Sequence, residues 1–176
     1  PEDILENVFG YSSFRGEQAD IIHHVINGGS CCVLMPTGSG KSLCYQIPSL
    51  CMNGVGIVVS PLIALMDDQV TALRELGVRA AAIHSGLGLE DVRRIYQDLR
   101  QGALDLLYVA PERLMTPDFL NLLDHISIAL FAIDEAHCIS QWGHDFRPEY
   151  RQIFALRDRF PLIPCIAVTA DRKSVV

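Results

Sequence analysis

Short apolar runs recur along the chain at 31–35, 55–59, 80–84, 104–109, 127–133 and 164–168, each predicting a strand. Between them lie longer amphipathic stretches, with helices expected over 16–27, 41–52, 62–76, 88–101 and 149–159. In the third of these Leu62, Leu65, Met66, Gln69, Leu73 and Leu76 fall three and four apart, the spacing of one helical face. Strand alternating with helix predicts an α/β fold of mainly parallel strands joined by right-handed crossovers. The runs are continuously apolar rather than alternating, as a sheet covered by helices on both faces requires.

On such a sheet ligands bind beyond the carboxyl ends of the strands. The unusual segments of this chain all fall there: 36–42, Ser60-Pro61, Ser85-Gly86, Ala110-Pro111-Glu112-Arg113, 134–147 and Thr169-Ala170. The first is Thr37-Gly38-Ser39-Gly40-Lys41-Ser42 after the apolar Cys31-Cys32-Val33-Leu34, a strand–loop–helix context for a phosphate-binding loop. Gly38 and Gly40 let the backbone fold back so that successive N–H groups converge on phosphate oxygens. Lys41 suits the β/γ-phosphates and Ser42 suits Mg²⁺. A helix starting near Lys41 would add its positive end. The common loop pattern has glycine where this chain has Met35.

A second apolar run, Leu130-Phe131-Ala132-Ile133, ends on Asp134-Glu135. Asp134 suits a carboxylate holding Mg²⁺ through its water shell, and Glu135 one that orients and deprotonates an attacking water. A lone Asp-Glu after a strand is ordinarily a solvated turn. With the glycine loop upstream, nucleoside triphosphate hydrolysis is the expected chemistry.

Composition narrows the class. The chain has 176 residues, 49% hydrophobic and 20% charged, enough for one globular domain with a substantial core. No apolar stretch has the length of a membrane span, and Pro1-Glu2-Asp3 is acidic where a secretory signal would be basic, so a cytoplasmic protein is expected. Six cysteines at 31, 32, 44, 51, 138 and 165 show neither C-x-x-C pairs nor metal-ligand spacing, and all but Cys138 are expected to be reduced core residues. A net charge of −7 argues mildly against nucleic-acid binding, although a local basic groove can exist on an acidic protein.

Taken together, the strand-end motifs resemble the first motor domain of a superfamily 2 helicase of the RecQ family, from about Leu5 to Ala170. The most specific segment is Asp134-Glu135-Ala136-His137-Cys138-Ile139-Ser140-Gln141-Trp142-Gly143, continuing to Tyr150, which is similar to the RecQ acidic motif and its aromatic-rich loop. The resemblance implies a RecA-like P-loop domain, ATP and Mg²⁺ as cofactors, and single-stranded or duplex DNA as partner, with 3′→5′ polarity. Tyr11, Arg15 and Gln18 resemble the family's adenine-recognition motif. A glutamine amide can pair with adenine's edge, and tyrosine and arginine can stack on its face. Ser60 through Gln69 and Ala110 through Leu114 resemble motifs that grip the DNA backbone, with Ser60 and Arg113 as contacts; helix capping by Ser60 and Glu112 is the alternative. Trp142, Phe146 and Arg147 suit base stacking and coupling of DNA to hydrolysis, or else Trp142 and Phe146 fill a gap beneath the loop. His137 reads as a relay between nucleotide and DNA or as a structural histidine.

The family places ATP between two such lobes, the second supplying an arginine finger typically worth on the order of 10³–10⁵ in rate. The expectation is a helicase lobe over 1–170 that hydrolyses ATP weakly and does not unwind DNA without that second lobe. Residues 171–176, Asp-Arg-Lys-Ser-Val-Val, depart from the family's continuation. They are expected to be a non-native tail, readable as translated sequencing adapter. Two other functions stay open, an RNA-directed helicase of the same superfamily and a non-catalytic, nucleotide-gated DNA-binding module.

Overall fold

The computed structural model describes residues 1–136 and 152–170. Its apolar runs form β1 (Cys31–Leu34), β2 (Val55–Val59), β3 (Ala80–Ile83), β4 (Leu106–Val109), β5 (Ile128–Ile133) and β6 (Cys165–Thr169). They make one sheet in the order β1-β6-β5-β2-β4-β3, and every pairing is parallel. The helices are α1 (Glu2–Asn7), α2 (Gln18–Ile26), α3 (Leu43–Cys51), α4 (Ile63–Glu75), α5 (Leu89–Arg100), α6 (Pro111–Leu114), α7 (Pro117–Leu123) and α8 (Phe154–Arg159).

Because successive strand side chains point to opposite faces, each central strand feeds two cores. Ile57, Leu107 and Phe131 pack with Ile95 and Leu99 of α5, Phe119 of α7 and Leu156 of α8. Their neighbours Val58, Tyr108 and Ala132 pack with Val25 of α2, Tyr45 of α3 and Met66 of α4. Leu5, Ile22 and Ile47 tie α1, α2 and α3 into a smaller third cluster. Among the described residues no helix is long and apolar enough to cross a membrane.

Several expectations need correction. Helix α3 begins at Leu43, two residues beyond the expected start, because the N–H groups of Leu43 and Cys44 bond carbonyls three residues back, and the four-residue ladder starts with Gln46 N–H on Ser42. The face of α4 is carried by Met66, Val70 and Leu73, while Leu62 and Leu76 are exposed at its ends. β1 is an edge strand with only Val33 buried, so Cys32 is exposed and Cys31 half-buried rather than core. Cys44 is the buried thiol, and burial, then the neighbouring Cys31, push it up to about 12. Cys51 and Cys165 are half-buried, and all five of these thiols are free. The short helices α1, α6 and α7 were not expected. Residues 137–151, including the start of the last expected helix, and residues 171–176 lie outside the described residues.

Candidate nucleotide-binding site

In-register parallel pairing brings the strand-end segments to one edge. Leu34 is level with Thr169, Val59 with both Ile133 and Val109, and Val109 with Ile83. The ladder continues one residue past the strands: Met35 N–H donates to Thr169 at 3.2 Å, Asp134 N–H to Val59 at 2.9 Å and Ser60 N–H to Val109 at 3.2 Å. The segments at Met35, Ser60 and Asp134 thus leave the same end of the sheet from fixed points, Ser60 and Asp134 from neighbouring strands and Met35 from β1, across β6.

Gly38 and Gly40 have φ of +79° and +78°, the left-handed backbone that glycine takes without penalty. Ser39 N–H closes a turn onto Pro36 at 3.2 Å, and its hydroxyl bonds the same carbonyl. The first turn of α3 is tight, with Leu43 N–H donating to Gly40 and Cys44 N–H to Lys41. Among the described residues the N–H groups of Thr37, Gly38, Gly40, Lys41 and Ser42 donate to no protein acceptor. Ser42 is the N-cap residue of α3, yet its hydroxyl makes no capping bond. Amides without a protein acceptor, a lysine and a hydroxyl that makes no capping bond at a helix N-terminus are the groups an anion site needs, so the residues present fit a nucleotide's phosphates.

Asp134 is 8% exposed at the end of β5. Its Oδ1 accepts the Glu135 N–H at 2.9 Å, and Oδ2 accepts the Tyr45 hydroxyl at 3.4 Å. Burial, then the adjacent Glu135 charge, raise its carboxyl above the ordinary range, against the Glu135 N–H, the Lys41 charge and the Tyr45 hydroxyl. Among the described residues Glu135 is the non-glycine with positive φ, +53°. That conformation costs about 1–3 kcal/mol and clusters at functional sites. Among the described residues no group of three or more His, Cys, Asp or Glu could enclose a metal ion. Ser42 and Asp134 offer the sparse ligand set at which Mg²⁺ keeps water and phosphate oxygens.

The segment before α2 reaches the same loop. The Arg15 guanidinium lies 6.0 Å from the Tyr11 ring centroid, a cation–π pair, and Tyr11 is half exposed. Both flank a small cavity with Gln18, Gly38, Ser39 and Gly40. Gln18 is buried, and its Nε2 donates to the carbonyls of Gly40 at 3.0 Å and Ser39 at 3.3 Å, while Oε1 accepts Arg15 N–H at 2.8 Å. Both amide protons of Gln18 are therefore engaged by the phosphate loop, leaving Oε1 the spare capacity to meet a base.

Neither Ser60 nor Glu112 caps a helix; α4 and α6 have Leu62 and Ala110 at their N-caps, without side-chain capping bonds. Ser60 is 2% exposed, and among the described residues neither its Oγ nor the buried Nε of Arg113 has a hydrogen-bond partner, although the Arg113 guanidinium stacks 5.8 Å from the Tyr96 ring. Such orphaned groups are expensive and call for an explanation. His137, Trp142, Phe146 and Arg147 lie outside the described residues.

The family model for DEAD/DEAH box helicases matches residues 15–171. The chain belongs to the DEAD/DEAH box helicase family. This helicase domain is 50% identical over 167 residues to the ATP-dependent DNA helicase RecQ of Haemophilus influenzae, covering 95% of the chain and 27% of that protein. It is 47% identical over 175 residues to the RecQ of Bacillus subtilis, covering 96% of the chain and 29% of that protein. The chain thus spans little more than a quarter of the length of these curated relatives. Among solved structures, Mycobacterium smegmatis helicase Lhr bound to ssDNA and AMP-PNP aligns with a TM-score of 0.69 at 18% identity, over 92% of this chain and 23% of that one. That likeness establishes the RecA-like fold.

Sequence reasoning assigned no role to Tyr45, Gln46 or Tyr108, which the helicase domain places behind Asp134. The signal available was polar atoms in positions that otherwise read as core: Tyr-Gln on the buried face of α3, and a tyrosine inside the apolar strand β4.

Proposed function

We propose that this domain, over residues 1–170, is the first motor lobe of an ATP-dependent DNA helicase of RecQ type with 3′→5′ polarity. It binds Mg-ATP at the P-loop and works against a second RecA-like lobe. The observation that carries this reading is that the N–H groups of Thr37, Gly38, Gly40, Lys41 and Ser42 donate to no protein acceptor among the described residues, at the same end of the sheet as Asp134. Lys41 neutralises the β/γ-phosphates, Ser42 and Asp134 hold Mg²⁺, and Glu135 orients the attacking water. Tyr11 and Arg15 flank the adenine, with Gln18 between base and loop. Bound Mg²⁺ supplies neutralisation of the charge on the β/γ-phosphate oxygens.

The unpartnered Ser60 hydroxyl and Arg113 Nε support a DNA backbone contact along the ends of β2 and β4. Trp142, Phe146 and Arg147 stack on and grip single-stranded DNA in this reading, with His137 relaying between DNA and nucleotide. The protein then acts wherever the DNA is, in a bacterial cytosol and nucleoid or a eukaryotic nucleus.

Calorimetry on Lys41→Ala tests the reading. Mg-ATP binding should be lost while the far-UV circular dichroism stays that of the wild type; equal ATP affinity would remove the P-loop assignment. In a version joined to its second lobe, single-stranded DNA should stimulate hydrolysis, whereas a nucleotide-gated binding module would show none.

A further inference from the structure

Behind the Asp134 carboxylate a line of polar side chains runs through the core between α3, β4 and α4. Tyr45 and Tyr108 are 0% and 1% exposed, and Gln46 is 4% exposed. Gln46 Nε2 donates at 3.0 Å to Gln69 Oε1 on α4 and at 3.0 Å to the Tyr108 hydroxyl on β4. The two tyrosine hydroxyls are 3.4 Å apart, their rings edge to face, and Tyr45 reaches Asp134 Oδ2 at 3.4 Å.

The direction of every link follows from proton inventory. An ionised carboxylate only accepts, so Tyr45 gives its single proton to Asp134 and accepts from Tyr108. Tyr108 then gives its proton to Tyr45 and accepts from Gln46, whose amide uses both of its protons. The result is one polarised chain from Gln46 to Asp134, anchored on α4 by Gln69. Its two 3.4 Å links exceed the usual O–H···O spacing and are the soft joints, sensitive to small shifts of α3 or β4.

Asp134 Oδ1 accepts the Glu135 N–H at 2.9 Å, and the Tyr45 hydroxyl on Oδ2 is a contact from the core that helps set the carboxylate plane. We propose that Tyr45 is a positioning residue for the Asp134 carboxylate, and that Tyr108, Gln46 and Gln69 link that carboxylate to α4, the helix that follows Ser60. This rests on the reading of Asp134 as an Mg²⁺-holding carboxylate. A shift of α4, whose leading segment is assigned to the DNA backbone, then reaches the metal carboxylate through hydrogen bonds within the lobe. Two tyrosines serving only as core would give stability without any bearing on metal.

The test is ATP binding by calorimetry across a Mg²⁺ titration, on the whole chain. Wild-type affinity that does not respond to Mg²⁺ would sink the underlying site reading and this proposal with it. Tyr45→Phe keeps the ring and removes the hydroxyl. It should leave metal-free ATP affinity unchanged and raise the Mg²⁺ half-saturation about tenfold, the scale of one lost hydrogen bond to a charged group. Tyr108→Phe, which does not touch Asp134, should shift it the same way by less, and the double variant no further than Tyr45→Phe. Gln69→Ala should give a smaller shift of the same sign. A wild-type Mg²⁺ response in Tyr45→Phe, or additive shifts in the double variant, overturns the proposal while leaving the nucleotide site intact. Should Tyr45→Phe fail to fold, an unchanged Mg²⁺ response in Tyr108→Phe overturns it equally.

Discussion

The Gln18 side-chain amide donates to the Gly40 carbonyl at 3.0 Å across 22 positions of chain, so the start of α2 holds the phosphate loop from below. Gln18→Ala removes the donor shared by Gly40 and Ser39. Losing such a bond where the carbonyls are half-buried costs about 1 kcal/mol. The unfolding midpoint in urea should fall accordingly, and ATP affinity by calorimetry should drop severalfold as the loop loses its preset shape. Gln18→Glu should be worse at neutral pH, because an ionised carboxylate has no proton to give and would face two carbonyl oxygens. A wild-type ATP affinity in Gln18→Ala would show that the loop is not held by this donor.

Gly40 answers to two constraints at once. Its φ of +78° disfavours any side chain, and an added Cβ would meet Gln18 Nε2 at 2.5 Å. Gly40→Ala should therefore lose Mg-ATP binding with only a modest loss of stability, about 1–2 kcal/mol from backbone strain. Combining it with Gln18→Ala relieves the clash but not the strain, so the double variant should be more stable than the sum of the two singles predicts. Strict additivity in urea melts would count against the contact.

Much of this site was legible because its signals are local. Apolar runs ending in Gly38-Ser39-Gly40-Lys41 or in Asp134-Glu135 mark strand ends, and parallel pairing then carries them to one edge. What failed to show depends on distant partners. Tyr45 meets Asp134 89 positions on, so the polar atoms of Tyr45-Gln46 in a core stretch hint at a buried hydrogen bond without naming its partner. The misplaced cysteines have the same origin, since strand order decides that β1 lies at an edge, and order is a tertiary property. α6 and α7 each open on proline at the first turn, a usable start signal, but both are too short to build a periodic stripe.

Glu135 carries strain as well as chemistry. Its φ of +53° is a conformation in which glycine would be relaxed. Glu135→Gln should keep the fold and ATP binding and lower turnover by roughly 10²–10⁴ in a version joined to its second lobe, the usual worth of a positioned general base. Glu135→Gly should also lose turnover but melt at a higher temperature than Glu135→Gln, since it sheds the left-handed penalty of about 1 kcal/mol. Turnover in Glu135→Gln within a few-fold of wild type would remove the water-orienting role.

At the opposite end of the sheet, Asp105 joins the starts of β3 and β4. Its Oδ2 accepts the Arg79 backbone N–H at 3.0 Å and Nε at 3.3 Å, and Oδ1 accepts Nη2 at 2.8 Å. Burial raises the Asp105 carboxyl, but the Arg79 side-chain bonds, its backbone N–H and its charge together outweigh that and lower it. A carboxyl lowered by folding stabilises the native state above its unfolded value, about 3.9, and loses that contribution as pH falls through the folded value. Arg79 is mostly exposed, so the contribution at pH 7 is about 1 kcal/mol or less. Asp105→Asn should therefore lower the urea midpoint at pH 7, and the gap from wild type should close as the pH is taken below about 4. Because Asp105 lies at the strands' amino ends, away from Lys41 and Asp134, ATP affinity should be unchanged in the folded variant. A stability gap that stays constant from pH 7 to pH 3 would show that the pair contributes by packing alone.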